Sequence, residues 1–251
     1  MSAVYHIAFS PTGTSLAAGE RLARAFSDAP RLVDLCDRDF SAPQLGSEDV
    51  CVISVPCYAG RVPPTAAERL ARIRAEGTPA VLCVAFGNRA FDDALLELAD
   101  LAEAGGFLPF AGCAAVTRHN IMRQFGLGRP DAADDAALAA FAAAAAKKRA
   151  QGDLRRPDFP GNRPYRAWKS SFRPIEVEET CTDCGLCAAG CPVGAIEAAP
   201  WSADPARCIG CMRCIAFCPM QSRHLPAAAL REMTERLRPA CESRKEPAFF
   251  L

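Results

Sequence analysis

Hydrophobic and polar residues divide the first 150 positions into short apolar runs and longer stretches of helical periodicity. Four of the five apolar runs are nearly continuous, which is typical of strands covered on both faces of a sheet. Alternation of such runs with amphipathic helices predicts a doubly wound parallel sheet, so the fold class is α/β. The predicted strands cover residues 3–9, 31–35, 50–55, 80–86 and 107–116, and the predicted helices cover residues 15–26, 65–75, 92–104 and 130–149.

The periodicity stops after residue 150. Residues 151–174 contain four prolines and two glycines and read as a linker. Their six basic and two acidic residues favour contact with the acidic segment that follows, although exposed ion pairs contribute only about 0–1 kcal/mol each. Tyr165, Trp168 and Phe172 are predicted to be buried between domains. The expected units are therefore an α/β domain at 1–150, this linker, a cysteine-rich domain at 175–226, and a helix with an apolar tail at 227–251.

Composition and charge exclude several classes of protein. Half of the residues are hydrophobic and 23% are charged, which disfavours an intrinsically disordered chain. The 29 Lys and Arg residues balance 29 Asp and Glu residues, so no basic excess favours nucleic acid. No run of 18 apolar residues occurs, and the first residues lack a basic export signal. These features predict a cytoplasmic protein without a membrane span or a nucleic-acid partner.

The 14 cysteines are distributed unevenly, and eight of them lie within residues 175–226. They form two runs, starting at Cys181 and Cys208, that each fit C-x2-C-x2-C-x3-C-P. In this spacing three thiolates bind one [4Fe-4S] cluster and the fourth binds the other. The predicted ligands are Cys181, Cys184, Cys187 and Cys218 for one cluster, and Cys208, Cys211, Cys214 and Cys191 for the other.

Zinc is the alternative occupant of these cysteines because soft thiolates also bind it. A structural zinc site, however, typically uses two separated pairs of cysteines and has no use for a third and fourth in each run. The two runs resemble the bacterial-type ferredoxins with two [4Fe-4S] clusters, over about residues 174–226. The resemblance implies a small α+β domain and one-electron transfer at low potential.

Three loops of the first domain carry further candidate chemistry, at the carboxyl ends of strands where ligands bind in doubly wound sheets. The first offers hydroxyls and helix N-terminal N–H groups to a phosphate, although a hydroxyl-rich helix cap is the alternative. It fits neither G-x-x-x-x-G-K-[ST] nor G-x-G-x-x-G, which disfavours nucleoside triphosphates and dinucleotides. The other two offer apolar or aromatic platforms to a planar heterocycle. The candidate residues are Ser10, Thr12, Gly13, Thr14 and Ser15 in the first loop, Pro56, Cys57, Tyr58, Ala59, Gly60 and Arg61 in the second, and Phe86, Gly87, Asn88, Arg89 and Phe91 in the third.

The loops match the patterns S-x-T-G-x-[ST], P-x-Y-x-G-R-x-P and [YF]-G-N-R-x-[YF]-D-D-A. The chain therefore resembles the anaerobe-type fusions of a flavodoxin-like domain to a ferredoxin module. The resemblance implies a five-stranded parallel sheet and FMN as cofactor, with its phosphate on residues 10–15 and its ring between the other two loops. Phe86 stands where tyrosine is frequent, and Cys57 stands where an aliphatic residue is usual. An empty flavodoxin-like domain is the alternative.

The sequence thus predicts an electron-transfer flavoprotein that relays electrons between [4Fe-4S] clusters and FMN, with redox proteins as donor and acceptor. Two alternatives stay open: an FMN-dependent reductase of a small molecule, and a redox-sensing module. An open apolar pocket with a proton donor such as Tyr58 or His119 would favour the reductase. The other cysteines have no ligand spacing and are predicted to be core or surface thiols: Cys36, Cys51, Cys83, Cys113 and Cys241.

Overall fold

The computed structural model describes residues 2–168, 174–197, 199 and 201–251. Its main sheet has six strands: β1 (Val4–Ala8), β2 (Arg31–Asp34), β4 (Val50–Pro56), β6 (Thr78–Phe86), β7 (Phe107–Val116) and β10 (Ala248–Phe250). The spatial order is β10-β7-β6-β4-β1-β2. The first five of these six strands in chain order pair in parallel. Counted alone, they follow the order 2-1-3-4-5 of flavodoxin-like sheets, so the expected fold class is confirmed.

Four helices cover the two faces of this sheet. They are α1 (Thr14–Ala23), α2 (Pro64–Leu70), α3 (Ala94–Ala104) and α4 (Ala132–Ala150). Ile53 and Leu82 pack with α2 and α3 on one face, whereas Val52 and Val81 pack with α1 and α4 on the other. Because successive side chains of a strand point to opposite faces, a continuous apolar run fills both cores. The order of strands reverses between β1 and β4, which leaves a crevice at their carboxyl ends.

The end of the chain returns to the sheet. Strand β10 pairs antiparallel with β7, where Phe249 stacks on Phe141 at 5.1 Å between ring centroids and Phe250 lies 6.0 Å from Phe159. The predicted five-stranded sheet therefore has a sixth strand. Its physical role is to pair the backbone of β7, which would otherwise be an open edge.

The second helix is shorter than predicted. It ends at Leu70 rather than residue 75, because Ile73 turns into the core and the next two residues form a strand. This strand, β5 (Arg74–Ala75), pairs in parallel with β3 (Gln44–Leu45). Hydrophobic periodicity in the sequence cannot show where this helix ends. A buried isoleucine at position 73 fits the pattern both as part of a longer helix and as part of the turn after a shorter one.

The linker lies along α3 of the first domain, and the expectation that it lies against the cysteine-rich segment is wrong for its described part. Arg156 and Arg163 both pair with Asp100, and the backbone N–H groups of Asn162 and Arg166 donate to Asp93. The acidic residues of α3 and the residue before it thus neutralise the basic linker. Tyr165 and Trp168 are half-buried rather than largely buried. Phe172 falls outside the described residues.

The cysteine-rich segment is a small α+β unit, as expected. Strand β8 (Glu176–Val177) pairs antiparallel with β9 (Arg223–His224), and two short helices, α5 (Leu186–Ala189) and α6 (Arg213–Ala216), lie between them in the chain. Helix α7 (Ala227–Cys241) follows and packs Met233 and Cys241 against Met122 and Phe125 of the first domain. Among the described residues, no helix combines the length and apolar character needed to cross a bilayer.

We expect Phe249→Ala to lower the free energy of unfolding by about 2 kcal/mol, because it removes a half-buried ring stacked on Phe141. Chemical denaturation measures the change. Leu251→Ala is the matched control, since this neighbouring side chain is half exposed. Equal effects of the two substitutions would show that β10 is not part of the folded core.

Candidate cofactor site

The loop between β1 and α1 is built to receive an anion. Gly13 precedes α1 with a φ of 88°, which favours glycine, and the Ser10 hydroxyl accepts the N–H of Leu16 at 2.9 Å. The Ser15 hydroxyl is buried and has no hydrogen-bond partner within the described residues. A buried hydroxyl without a partner is costly, and a phosphate oxygen at this helix N-terminus would satisfy it. The residues present therefore fit the phosphate that the sequence predicts here.

The loop after β4 is a tight turn. The backbone of Tyr58 and Arg61 exchanges two hydrogen bonds of 3.0 Å, and both central residues have positive φ, 51° at Ala59 and 85° at Gly60. A non-glycine residue in this region costs about 1 kcal/mol or more, which surrounding structure must offset. The Arg61 side chain forms an internal ion pair, because its guanidinium donates to both carboxylate oxygens of Glu97 at 2.7 Å.

The loop after β6 serves the fold as well as the crevice. The Asn88 side chain donates to the carbonyls of Cys241 at 2.6 Å and Ser243 at 3.0 Å, and it accepts the N–H of Lys245 at 3.0 Å. Phe86 and Phe91 pack on each other in an apolar cluster with the end of β7. Phe86 thus lies in the core and Phe91 is partly buried beside it, whereas Tyr58 lines the crevice.

Two cavities join the three predicted loops at the crevice. The smaller is lined by Ser10, Pro11, Thr12, Thr14, Ser15, Pro56, Cys57, Tyr58, Ala85, Gly87, Thr117, Arg118 and Asn120. The larger, of about 540 Å³, is lined by Cys57, Tyr58, Ala59, Gly60, Gly87, Arg89, Ala90, His119, Asn120, Ile121, Met122, Arg166, Ala167, Met233, Arg236 and Leu237. Predicted residues that line neither cavity are Gly13, Arg61, Phe86, Asn88 and Phe91.

Sequence reasoning missed three groups of lining residues: residues 117–122, part of α7, and Arg166 and Ala167 of the linker. Residues 117–122 follow β7, whose carboxyl end meets the same edge of the sheet, and only His119 of this loop was considered. Met233, Arg236 and Leu237 belong to α7, more than 100 residues away in the chain. The position of β7 was a usable signal for the first group. No local signal marks the second group, because α7 reaches the crevice through tertiary packing.

His119 lies directly against the loop after β6. A Cβ atom added to Gly87 would lie 2.7 Å from the His119 Cα, so glycine is needed there. The His119 Nδ1 accepts the N–H groups of Ile121 at 3.1 Å and Met122 at 3.2 Å, which places the ring proton on Nε2. Burial and the nearby Arg89 lower the pKa of His119 to about 4. At neutral pH the ring is therefore uncharged, with its proton on Nε2.

The two cysteine runs fold as a repeat. Residues with positive φ recur at an offset of 27 residues, as Asp183 and Gly210, Gly185 and Met212, and Gly194 and Gln221. The helices α5 and α6 begin at equivalent positions of the repeat. Left-handed residues between helical or turn residues turn successive backbone N–H groups toward one point, which suits anionic sulfide. The spacing of cysteines in the sequence thus corresponds to a repeated backbone conformation.

Cys191 lies with the second run rather than its own. It lines one cavity together with Cys208, Cys211 and Cys214. Burial raises the pKa of each of these three thiols, and the charge of a nearby Cys191 thiolate raises each further. We call these four residues the proximal set, and we call Cys181, Cys184, Cys187 and Cys218 the distal set. No group of three or more His, Cys, Asp or Glu side chains in the described part of the chain is arranged to hold a single metal ion.

Tyr58 connects the proximal set with the crevice. Its hydroxyl is buried, which raises its pKa well above 10, and the charge of Cys211 adds to the shift while a hydrogen bond with Asn120 opposes it. Two arginine contacts hold the same parts together: Arg213 donates to the Pro11 carbonyl at 3.1 Å and Arg69 donates to the Pro192 carbonyl. The proximal set therefore adjoins the predicted flavin loops.

The other cysteines are buried or half-buried thiols. Cys36, Cys51, Cys83, Cys113 and Cys241 are buried, as expected for core residues. Cys57 is half-buried and lines both cavities, with its thiol near the carbonyls of Ala90 and Phe91. Burial raises its pKa to about 12, so it is a neutral thiol at pH 7.

Comparison with known proteins identifies the second part of the chain. Residues 173–219 match the family model described as a 4Fe-4S dicluster domain. The chain thus joins a flavodoxin-like sheet to a 4Fe-4S dicluster domain. The two parts together indicate a role in redox electron transfer. No curated protein matches the sequence.

Several solved structures are similar to part of the chain. Rubredoxin oxygen:oxidoreductase from Desulfovibrio gigas aligns at 18% identity and a TM-score of 0.42, covering 60% of this chain but only 37% of that one. A flavodoxin from Streptococcus pneumonia TIGR4 aligns at 15% identity and 0.37, covering 57% and 97%. An azoreductase from Bacillus anthracis str. Sterne aligns at 14% identity and 0.38, covering 59% and 100%.

We expect the His119 ring to titrate near pH 4 in NMR spectra, with His119→Gln used to assign its signal. Because the folded pKa lies below the value of 6.5 for an unfolded chain, the unfolded state binds more protons between these pH values. The contribution of the neutral His119 ring to the free energy of unfolding is thus complete above about pH 6.5 and is lost as the pH falls toward 4. A midpoint near 6.5 would contradict the buried, neutral ring.

Proposed function

We propose that the protein is an iron-sulfur flavoprotein that transfers electrons between two [4Fe-4S] clusters and an FMN. The cluster cysteines would be the proximal and distal sets, and the flavin would lie on the three crevice loops. When bound, FMN exchanges one or two electrons and so links one-electron clusters to other acceptors. The residues of the chain bind these groups, fix their separation and exclude water.

The observation that carries this proposal is the position of Tyr58. Its ring lines both crevice cavities, and its hydroxyl is close enough to Cys211 for the two groups to interact electrostatically. Electron tunnelling is fast only across short gaps. Because Tyr58 lines the crevice and lies near Cys211, the proximal cluster and the flavin would be neighbours within one chain.

The distal set supports an electron path to the outside. Cys184 is exposed, and three large apolar side chains near the distal cysteines are also exposed: Leu186, Phe217 and Met220. Apolar side chains around an accessible redox centre suit a transient protein partner. The order would be partner, distal cluster, proximal cluster and flavin, in either direction.

A small-molecule reductase is the second candidate, and the larger cavity favours it. Three arginines line this cavity, Arg89, Arg166 and Arg236, beside apolar side chains of α7. The first two share the single carboxylate of Asp92, so an excess of positive charge remains. The cavity would suit an anionic acceptor with an apolar body. Repeated turnover with such a compound, without any protein partner, would distinguish the reductase from the relay.

We expect Thr12→Asp to weaken FMN binding at least about tenfold, because a carboxylate would repel the phosphate from a cradle of neutral donors. Iron and sulfide should stay at the wild-type level of about eight irons per chain. Ser47→Asp is the control, since this exposed residue precedes β4 at the opposite edge of the sheet. Wild-type flavin content in Thr12→Asp would show that the loop does not bind the phosphate.

We expect Cys191→Ser to damage the cluster held by the second cysteine run and to slow electron delivery to the flavin. Cys218→Ser should instead damage the cluster of the first run. Mössbauer and EPR spectra identify the damaged cluster, and stopped-flow absorbance follows flavin reduction. In the wild type the rate of flavin reduction should not depend on protein concentration, because electron transfer occurs within one chain. Damage confined to the mutated run itself would reject the crossed assignment.

A further inference from the structure

Arg223 is a buried arginine whose charge has no carboxylate partner in the described residues. It opens β9 and is 3% exposed. One guanidinium nitrogen, Nη1, donates to the Trp201 carbonyl at 2.8 Å and lies 3.7 Å from the Cys187 sulfur. The other two nitrogens, Nε and Nη2, are buried without a hydrogen-bond partner.

Such an arrangement is unfavourable unless an anion is close. A buried guanidinium is strongly destabilising when it is neither paired nor fully hydrogen-bonded. Its contacts point to the source of the missing charge, because its Nη1 lies against the Cys187 thiol. Four thiolates around an iron-sulfur core leave a net negative site, which is the anion that this arginine lacks.

Arg223 faces both sets of cysteines. Its Nη1 lies 3.7 Å from the sulfur of Cys187 in the distal set, and Cys187 lines one cavity together with Cys214 of the proximal set. Burial raises the pKa of both thiols, and the positive charge of Arg223 opposes the shift in each. It acts in the same sense on Cys208. Arg223 therefore lies between the two sites rather than beside one of them.

We propose that Arg223 is a positioning residue shared by the two clusters, to whose cysteine sulfurs it donates hydrogen bonds. This inference rests on the proposed function, since it requires both clusters. One-electron reduction adds negative charge to a cluster and transfers no proton to Arg223. A fixed positive charge between the clusters therefore favours the reduced state of both and raises both reduction potentials.

The test compares Arg223→Gln, Arg223→Lys and the control Arg207→Gln, in the full chain purified without oxygen. The control removes one positive charge from the same domain at an exposed residue paired with Glu197. Iron and sulfide content of the wild type tests the two clusters independently of any arginine. Potentiometric titration followed by EPR then gives the midpoint potential of each cluster.

In Arg223→Gln both midpoints should fall, each by at least about a tenfold change in the reduction equilibrium constant, or 59 mV for one electron. Arg223→Lys keeps the charge but loses the planar fork, so one cluster should keep a potential near the wild-type value. The control should change neither. Fully loaded Arg223→Gln with unchanged midpoints, or with only one changed, would overturn the proposal.

If neither variant retains its clusters, a measurement on the wild type still tests whether Arg223 is shared by both clusters. With guanidino-15N arginine, ENDOR spectra of each reduced cluster should show a nitrogen coupling from a guanidinium in contact with a cysteine sulfur. Its absence at either cluster would overturn the shared role. A wild type with fewer than eight irons would instead reject the proposed function, whatever the variants show.

Discussion

The sheet of the first domain holds the cysteine-rich segment at both of its ends. On the amino-terminal side, the linker is fixed to α3 through Asp93 and Asp100. On the carboxyl-terminal side, three hydrogen bonds of Asn88 hold the chain after α7, and β10 completes the sheet. With both ends anchored, docking of the segment onto the crevice costs little further entropy, because its effective concentration there is high. The placement of the proximal set beside the crevice follows from this constraint.

The two candidate cofactor sites differ in how they would neutralise the negative charge of a bound group. At the crevice, the phosphate loop offers hydroxyls and backbone N–H groups, and its one orphaned polar atom is the uncharged Ser15 hydroxyl. Among the cysteines, a full positive charge is buried at Arg223. A phosphate remains partly solvated in an open loop, whereas clusters inside a small domain need a counter-charge within the low-dielectric interior.

Backbone strain accompanies both sites. Ala59 adopts a positive φ in the loop after β4, and Asp183, Met212 and Gln221 do so around the cysteines. Each costs on the order of 1 kcal/mol or more, and such residues persist where the surrounding structure over-determines them. The recurrence at Gly185 and Met212 is instructive, because the second position keeps the conformation of the first without glycine. The repeat is therefore set by its geometry as a site and not by local propensity alone.

The sequence by itself determined the parallel sheet and its first five strands to within about two residues, because hydrophobic periodicity is a local property of the chain. Its C-x2-C spacing predicts the crossed grouping of cysteines, and the structure brings Cys191 to the second run. The sequence also located the three crevice loops, since the carboxyl ends of parallel strands share one edge. Tertiary structure alone decided that the linker follows α3, that α7 lines the larger cavity, and that Phe249 and Phe250 add a strand. It also decided that the side chains of Arg61, Phe86 and Asn88 serve the fold. These outcomes depend on pairing between residues far apart in the chain, where several partners are chemically equivalent and only the packed arrangement selects one.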